Sequence, residues 1–145
     1  MDEPAYRAVR TTQEAKMPNY MMLLYSPNQT GAEQAEHAGE LPEWIALTDE
    51  WQRAGSLVAN GRLHPVSSAT TIRTRGTETE LTDGPFAVTK EILAGYYILA
   101  CADLDDALKQ AERLPIVRYG SVEVRPIMDD PTESPVGDRA ASAAA

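Results

Sequence analysis

Apolar positions change their spacing repeatedly along the chain, and the changes divide it into elements. Tyr20-Met21-Met22-Leu23-Leu24-Tyr25 is an unbroken apolar run between Pro18 and Pro27, too short for a helix and suited to a strand covered on both faces. A polar loop from Asn28 to Glu40 follows. Pro42 suits a first helical turn, Trp44, Leu47, Trp51 and Ala54 recur at spacings of three and four, and Gly55 stands at the end. That spacing predicts an amphipathic helix. Leu57 to Leu63 reads as a strand, with an irregularity such as a bulge at Asn60-Gly61. The β-branched, alternating segments 70–75 and 77–82 flank Gly76 as a hairpin exposed on one face.

The second half repeats the first in outline. Gly95 to Cys101 is a second buried-type strand. Asp103, with Asp106 three residues on, caps a helix carrying Leu104, Ala107, Leu108, Ala111 and Leu114, and Pro115 marks its stop. Ser121 to Ile127 alternates as a closing strand whose Pro126 belongs at its end or at an edge. The order β-α-β, hairpin, β-α-β predicts an α+β fold, the ferredoxin-like plait, with one antiparallel sheet and both helices on one face. Central strands apolar on both sides leave the other face uncovered, and a homodimer is the economical cover.

Composition places these elements in one domain. The 145 residues suit a single core, and the net charge of −9 is unevenly owned. Residues 1–17 sum to zero and read as a mobile extension; residues 129–145 carry −3 and read as a disordered tail; the domain of residues 18–128 keeps −6. This acidity argues against nucleic acid. Neither a membrane-length apolar run nor a secretory apolar segment is found, so a cytoplasmic protein without membrane contact is expected. Lone Cys101, with only His37 and His64 as imidazoles, excludes an internal disulfide and a zinc-type cluster. Gly55, Gly61 and Gly84 lack the spacing of a phosphate loop, so no cofactor is expected.

The segment Thr82-Asp83-Gly84-Pro85-Phe86-Ala87-Val88-Thr89-Lys90-Glu91, followed by Gly95-Tyr96-Tyr97, resembles the signature of the DGPF proteins, a branch of the YCII-related family. Leu63-His64-Pro65, the stretch 69–73, Asp103 to Ala107 and Gly120 to Pro126 extend the resemblance over roughly residues 19–128. It implies a dimeric α/β-barrel form of the plait. One relative is a dehydrochlorinase acting on a chlorinated hydroxyhydroquinone, which implies a small cyclic or phenolic ligand. A His–Asp pair is proposed as catalytic in the parent branch, but Trp44 and Leu114 stand at those positions here, so the pair is not carried over. DGPF members also resemble products encoded beside extracytoplasmic-function sigma factors. That implies an alternative role, a non-catalytic accessory or regulatory module with a partner in a sigma-factor pathway.

Candidate chemistry gathers near the hairpin. Asp83-Gly84-Pro85-Phe86 makes a rigid turn, with Asp83 capping it and Phe86, the chain's only Phe, anchoring it in the core. The same turn can present Asp83 as a general base or Phe86 to a ligand. His64, between Leu63 and Pro65 at a strand end, is a candidate proton shuttle oriented by Asp83, with Arg62 holding an anion. Tyr25 and Tyr96 are candidate ligand contacts; alternation puts Tyr96 and Tyr97 on opposite faces. Trp44 and Trp51 read as core or interface, and His37, in the acidic run Glu33 to Glu40, as a solvated side chain. The expected function is cofactor-independent acid–base chemistry, an isomerisation or elimination, with His64 and Asp83 catalytic and Arg62, Tyr25, Tyr96 and Phe86 binding.

Overall fold

The computed structural model of the chain describes residues 17–27, 35–87 and 90–129. The expected N-terminal extension and C-terminal tail lie outside the described residues apart from Met17 and Asp129. Among the described residues the strands and longer helices follow in the order β1 (Asn19–Pro27), α1 (Leu41–Ala54), β2 (Leu57–Arg62), β3 (Thr70–Arg75), β4 (Glu78–Asp83), β5 (Glu91–Ala100), α2 (Leu104–Ala111) and β6 (Ser121–Pro126). Four strands make an antiparallel sheet in the order β2-β5-β1-β6. The hairpin β3–β4 forms a second, two-stranded sheet.

The side-chain period of two decides what the larger sheet buries. Tyr20, Met22 and Leu24 of β1 lie opposite Leu99, Tyr97 and Gly95 of β5, and this row forms the core with Leu47 and Trp51 of α1 and Ala107 and Ala111 of α2. Both helices therefore pack on one face. Burial of each large side chain there contributes about 1.5–3 kcal/mol. The intervening row, Met21, Leu23, Tyr96 and Ile98, lies on the opposite face and is half-buried.

Local chemistry sets the helix ends. Pro42 sits in the first turn of α1, and Gly55 closes the helix in the left-handed conformation at φ 79°, donating to Gln52 and Trp51 carbonyls. At α2, Asp103 Oδ1 accepts from the Asp106 N–H at 2.8 Å, while Asp106 Oδ2 accepts from the Ala102 N–H at 3.0 Å. The pair satisfies two otherwise orphaned donors.

The expected barrel is corrected. Among the described residues no sheet closes on itself: β2 and β6 are opposite edges of an open sheet, with β5 and β1 between them. Four strands enclose no interior. Nor does the hairpin join the main sheet. Gly76 at φ 63° followed by Thr77 makes its tight turn, and Ile72 and Leu81, paired across it, remain 65% and 70% exposed. The irregularity expected at Asn60-Gly61 lies instead at Val58, between the Leu57 and Ala59 pairings. A second falls between Leu24 and Tyr25 in the β1–β5 ladder.

Candidate functional site

At the end of the sheet where β1 and β2 finish and β5 begins, α1 does not cover the strands fully. A cleft of about 960 Å³ opens there. The first turns of α1 supply one wall through Leu41, Trp44, Ile45 and Thr48, and Leu24, Asn60, Gly95 and Tyr97 supply the floor. Leu41 and Ile45 are 51% and 60% exposed, so the apolar stripe of α1 turns from core to cleft lining at its N-terminal half. Gly95 keeps the floor low. A Cβ there would lie 2.6 Å from the Gly61 carbonyl oxygen, a backbone atom that cannot yield.

Tyr97 anchors the wall to the floor. Its ring meets Trp51 edge-on at 5.2 Å and stacks with Trp44 at 6.3 Å between centroids, the geometry that aromatic quadrupoles favour. Thr48 Oγ1 donates to the Trp44 carbonyl at 2.8 Å, which commits its only proton; the Tyr97 hydroxyl 2.7 Å away therefore donates to Thr48.

The β2 side carries Arg62 and His64. Leu63 N–H donates to the Ala94 carbonyl at 2.9 Å, extending the ladder one residue beyond β2. His64 follows, held extended by Pro65. Arg62 lies opposite Gly95 and so on the helix-bearing face. Both Arg62 and His64 line the cleft, and among the described residues neither has an ionic partner. The carboxylate of Asp49, also on the lining, is taken by Arg53 at 2.8 Å.

The β6 side is built differently. His37 stacks on Tyr119 with ring centroids 3.6 Å apart and planes 13° from parallel. Glu40 bridges the two rings: Oε1 accepts from the Tyr119 hydroxyl at 3.0 Å, and Oε2 lies 3.5 Å from His37 Nδ1. Burial, then the bond to Glu40, pushes the Tyr119 phenol up to about 12. Arg118 pairs with Glu43 and approaches Glu40 at 3.9 Å. Both histidines of the chain thus line one cleft.

The other expected site residues are placed elsewhere. Asp83 ends β4 and is exposed, and no hydrogen bond or ion pair joins it to His64 among the described residues. Its turn is closed by Gly84 N–H to the Ala69 carbonyl (2.7 Å) and Thr71 Oγ1 to the Gly84 carbonyl (2.8 Å). Phe86 is 76% exposed rather than anchored in the core, because the hairpin stands outside it; the Arg73 guanidinium lies 4.9 Å from its ring centre. Tyr25 and Tyr96 belong to the sheet face turned away from the cleft, where Tyr96 lies over Gly61. Sequence reasoning read His37 as solvated and did not single out Glu40, Thr48 or Tyr119. The spacing of three between His37 and Glu40 was the only local signal, since Tyr119 stands 79 positions from Glu40.

The profile of the YCII-related domain matches residues 19–130, from the first residue of β1 to beyond β6. The chain belongs to the YCII-related family. An uncharacterized protein of Rhizobium meliloti (strain 1021) is 37% identical over 112 residues, covering 74% of this chain and 90% of that protein. The YCII-related domain therefore contains every element that builds the cleft. Among the described residues, no helix is long and apolar enough to cross a membrane, and no group of three His, Cys, Asp or Glu side chains is arranged to hold a metal ion.

Proposed function

We propose that the cleft binds a small anionic molecule with an apolar or aromatic body and carries out cofactor-independent acid–base chemistry on it. The observation that carries this reading is the charge of the lining: among the described residues Arg62 faces the cleft without an ionic partner, whereas the Asp49 carboxylate is already held by Arg53. An anion entering an otherwise apolar cleft completes the guanidinium's bidentate geometry, and the aromatic wall takes the body. Isomerisation or elimination through proton transfer is the reaction class that such a site suits without a bound cofactor.

Benzoate and benzylamine test the reading, because they share a ring and differ in charge. Benzoate is expected to bind saturably and to change Trp44 fluorescence, with Arg62→Ala weakening it about tenfold or more. Equal binding of benzylamine, or benzoate binding unchanged by Arg62→Ala, would overturn it. The protein is further proposed to act as a cytoplasmic homodimer, supported by the exposed Ile72–Leu81 pair on a hairpin too short to be independently stable in water. A monodisperse 15.8 kDa species in light scattering contradicts the dimer.

A further inference from the structure

The two sides of the cleft differ in a way that assigns them different tasks. The edge strands β2 and β6 are separated by three inter-strand spacings, about 14 Å. Arg62 and His64 extend from the β2 edge, while His37 rests on Tyr119, which leads into β6. Arg62 and His37 both line the cleft from these opposite sides, and side chains reaching inward from the two edges can meet two neighbouring groups of one small molecule, its anionic end and its reacting carbon. We propose that His37 is the proton-transferring residue of this cleft and Glu40 its positioning residue, acting on the carbon acid of a small aromatic or cyclic keto acid whose carboxylate is held by Arg62. This inference rests on the anion-binding reading of the cleft.

Three features favour His37. Its ring is fixed by the stack on Tyr119, which leaves little rotational freedom to be lost when a substrate binds. Glu40 stands at Nδ1, and Tyr119 fixes that carboxylate through its other oxygen. A carboxylate beside Nδ1 favours a proton on that nitrogen, which leaves the Nε2 lone pair as the base. His64 has neither support: it is exposed and has no carboxylate partner among the described residues.

The step balances without an oxidant. His37 Nε2 takes a proton from the carbon beside the keto group, the electron pair of that C–H bond forms the carbon–carbon double bond, and the carbonyl pair moves onto oxygen as an enolate. The His37 imidazolium then returns its proton to that oxygen or to carbon, which leaves the histidine as it began. The Glu40 carboxylate stabilises the imidazolium between the two transfers.

Phenylpyruvate is a suitable probe, having a carboxylate, a ring and an acidic methylene group. Loss of its methylene proton signal is followed by NMR in deuterated buffer with the full-length protein, and its dissociation constant is read in parallel from Trp fluorescence. The wild-type protein is expected to accelerate exchange about a hundredfold over buffer. His37→Asn should abolish the acceleration with the dissociation constant unchanged, which also reports that the variant is folded. Glu40→Gln should lower turnover about tenfold with no change in affinity, a split that general loosening of the fold would not give. Binding without accelerated exchange, or exchange that survives His37→Asn, overturns the assignment of His37 and leaves the anion site standing. Failure of phenylpyruvate to bind overturns both.

Discussion

His37 and His64 line the same cleft and stand in opposite surroundings. His37 is stacked on a tyrosine and faces a carboxylate that the same tyrosine holds. His64 follows a strand end, exposed, beside an arginine that itself has no ionic partner among the described residues. One side of the cleft is therefore organised before any ligand arrives, while the other side carries charge awaiting one. Proton transfer benefits from a fixed, oriented base. Capture of an anion benefits from uncommitted donors, because a guanidinium already paired would have to break that pair first.

Substitutions can break this contrast. Arg62→Ala should raise the dissociation constant for benzoate about tenfold to a hundredfold, the value of a charge-assisted hydrogen bond, and His64→Ala no more than about threefold. Calorimetric titration of both variants reads the difference; equal losses would show that the β2 side acts as a pair. Gly95→Val probes the floor common to both sides. Its side chain would meet the Gly61 carbonyl, so a stability loss of about 1–3 kcal/mol in urea unfolding is expected, accompanied by weaker benzoate binding.

Tyr119→Phe sharpens the β6 side. It keeps the ring under His37 and removes the donor to Glu40, at a cost of about 0.5–1.5 kcal/mol. The pH dependence carries a sign. A phenol raised from 10 to about 12 holds its proton more tightly in the folded chain, so its stabilising contribution is complete below pH 10 and is lost as pH rises through about 12. Unfolding free energies measured at pH 9 and at pH 11.5 should fall together less in the phenylalanine variant than in the wild type. The smallest effect is expected at Cys101, which belongs to neither side. Burial, then Asp106 and Asp103, pushes its thiol up to about 11, so that only about one molecule in ten thousand is a thiolate at pH 7. A thiol-specific reagent should leave it intact at neutral pH under native conditions, and rapid labelling would contradict the burial.

Much of the framework was legible because it obeys local rules. Pro42 and Gly55 mark the ends of α1, Asp103 caps α2, and the run from Tyr20 to Tyr25 lies within β1. Each of these depends on residues a few positions apart. What sequence reasoning placed wrongly depends on long-range packing. Phe86 was expected in the core, but whether a turn is buried depends on where its hairpin docks, and β3–β4 forms a sheet of its own. The barrel, expected from the family resemblance, required strand edges to meet, which no alternation of side chains specifies.

The candidate site was half legible for the same reason. Arg62 and His64 were singled out as neighbours at a strand end, and they share the cleft wall. His37 was read as solvated because its sequence neighbours are acidic and polar, whereas its stacking partner comes from the far end of the domain. Asp83 was joined to His64 because both stand at neighbouring loop positions about the hairpin; the hairpin between Thr70 and Asp83 returns the Asp83 end to Ala69, where Thr71 closes the turn, and among the described residues no hydrogen bond or ion pair joins Asp83 to His64.

The most direct measurement is an NMR titration of the isotopically labelled protein with phenylpyruvate, following backbone amides and the Trp44 indole. Saturable shifts are expected at Arg62, Gly95 and Trp44 on the cleft side, extending to His37, with Tyr25 and Tyr96 on the opposite face of the sheet unmoved. Saturable shifts confined to Tyr25, Tyr96 and Met21, or no saturable shift anywhere, would contradict it.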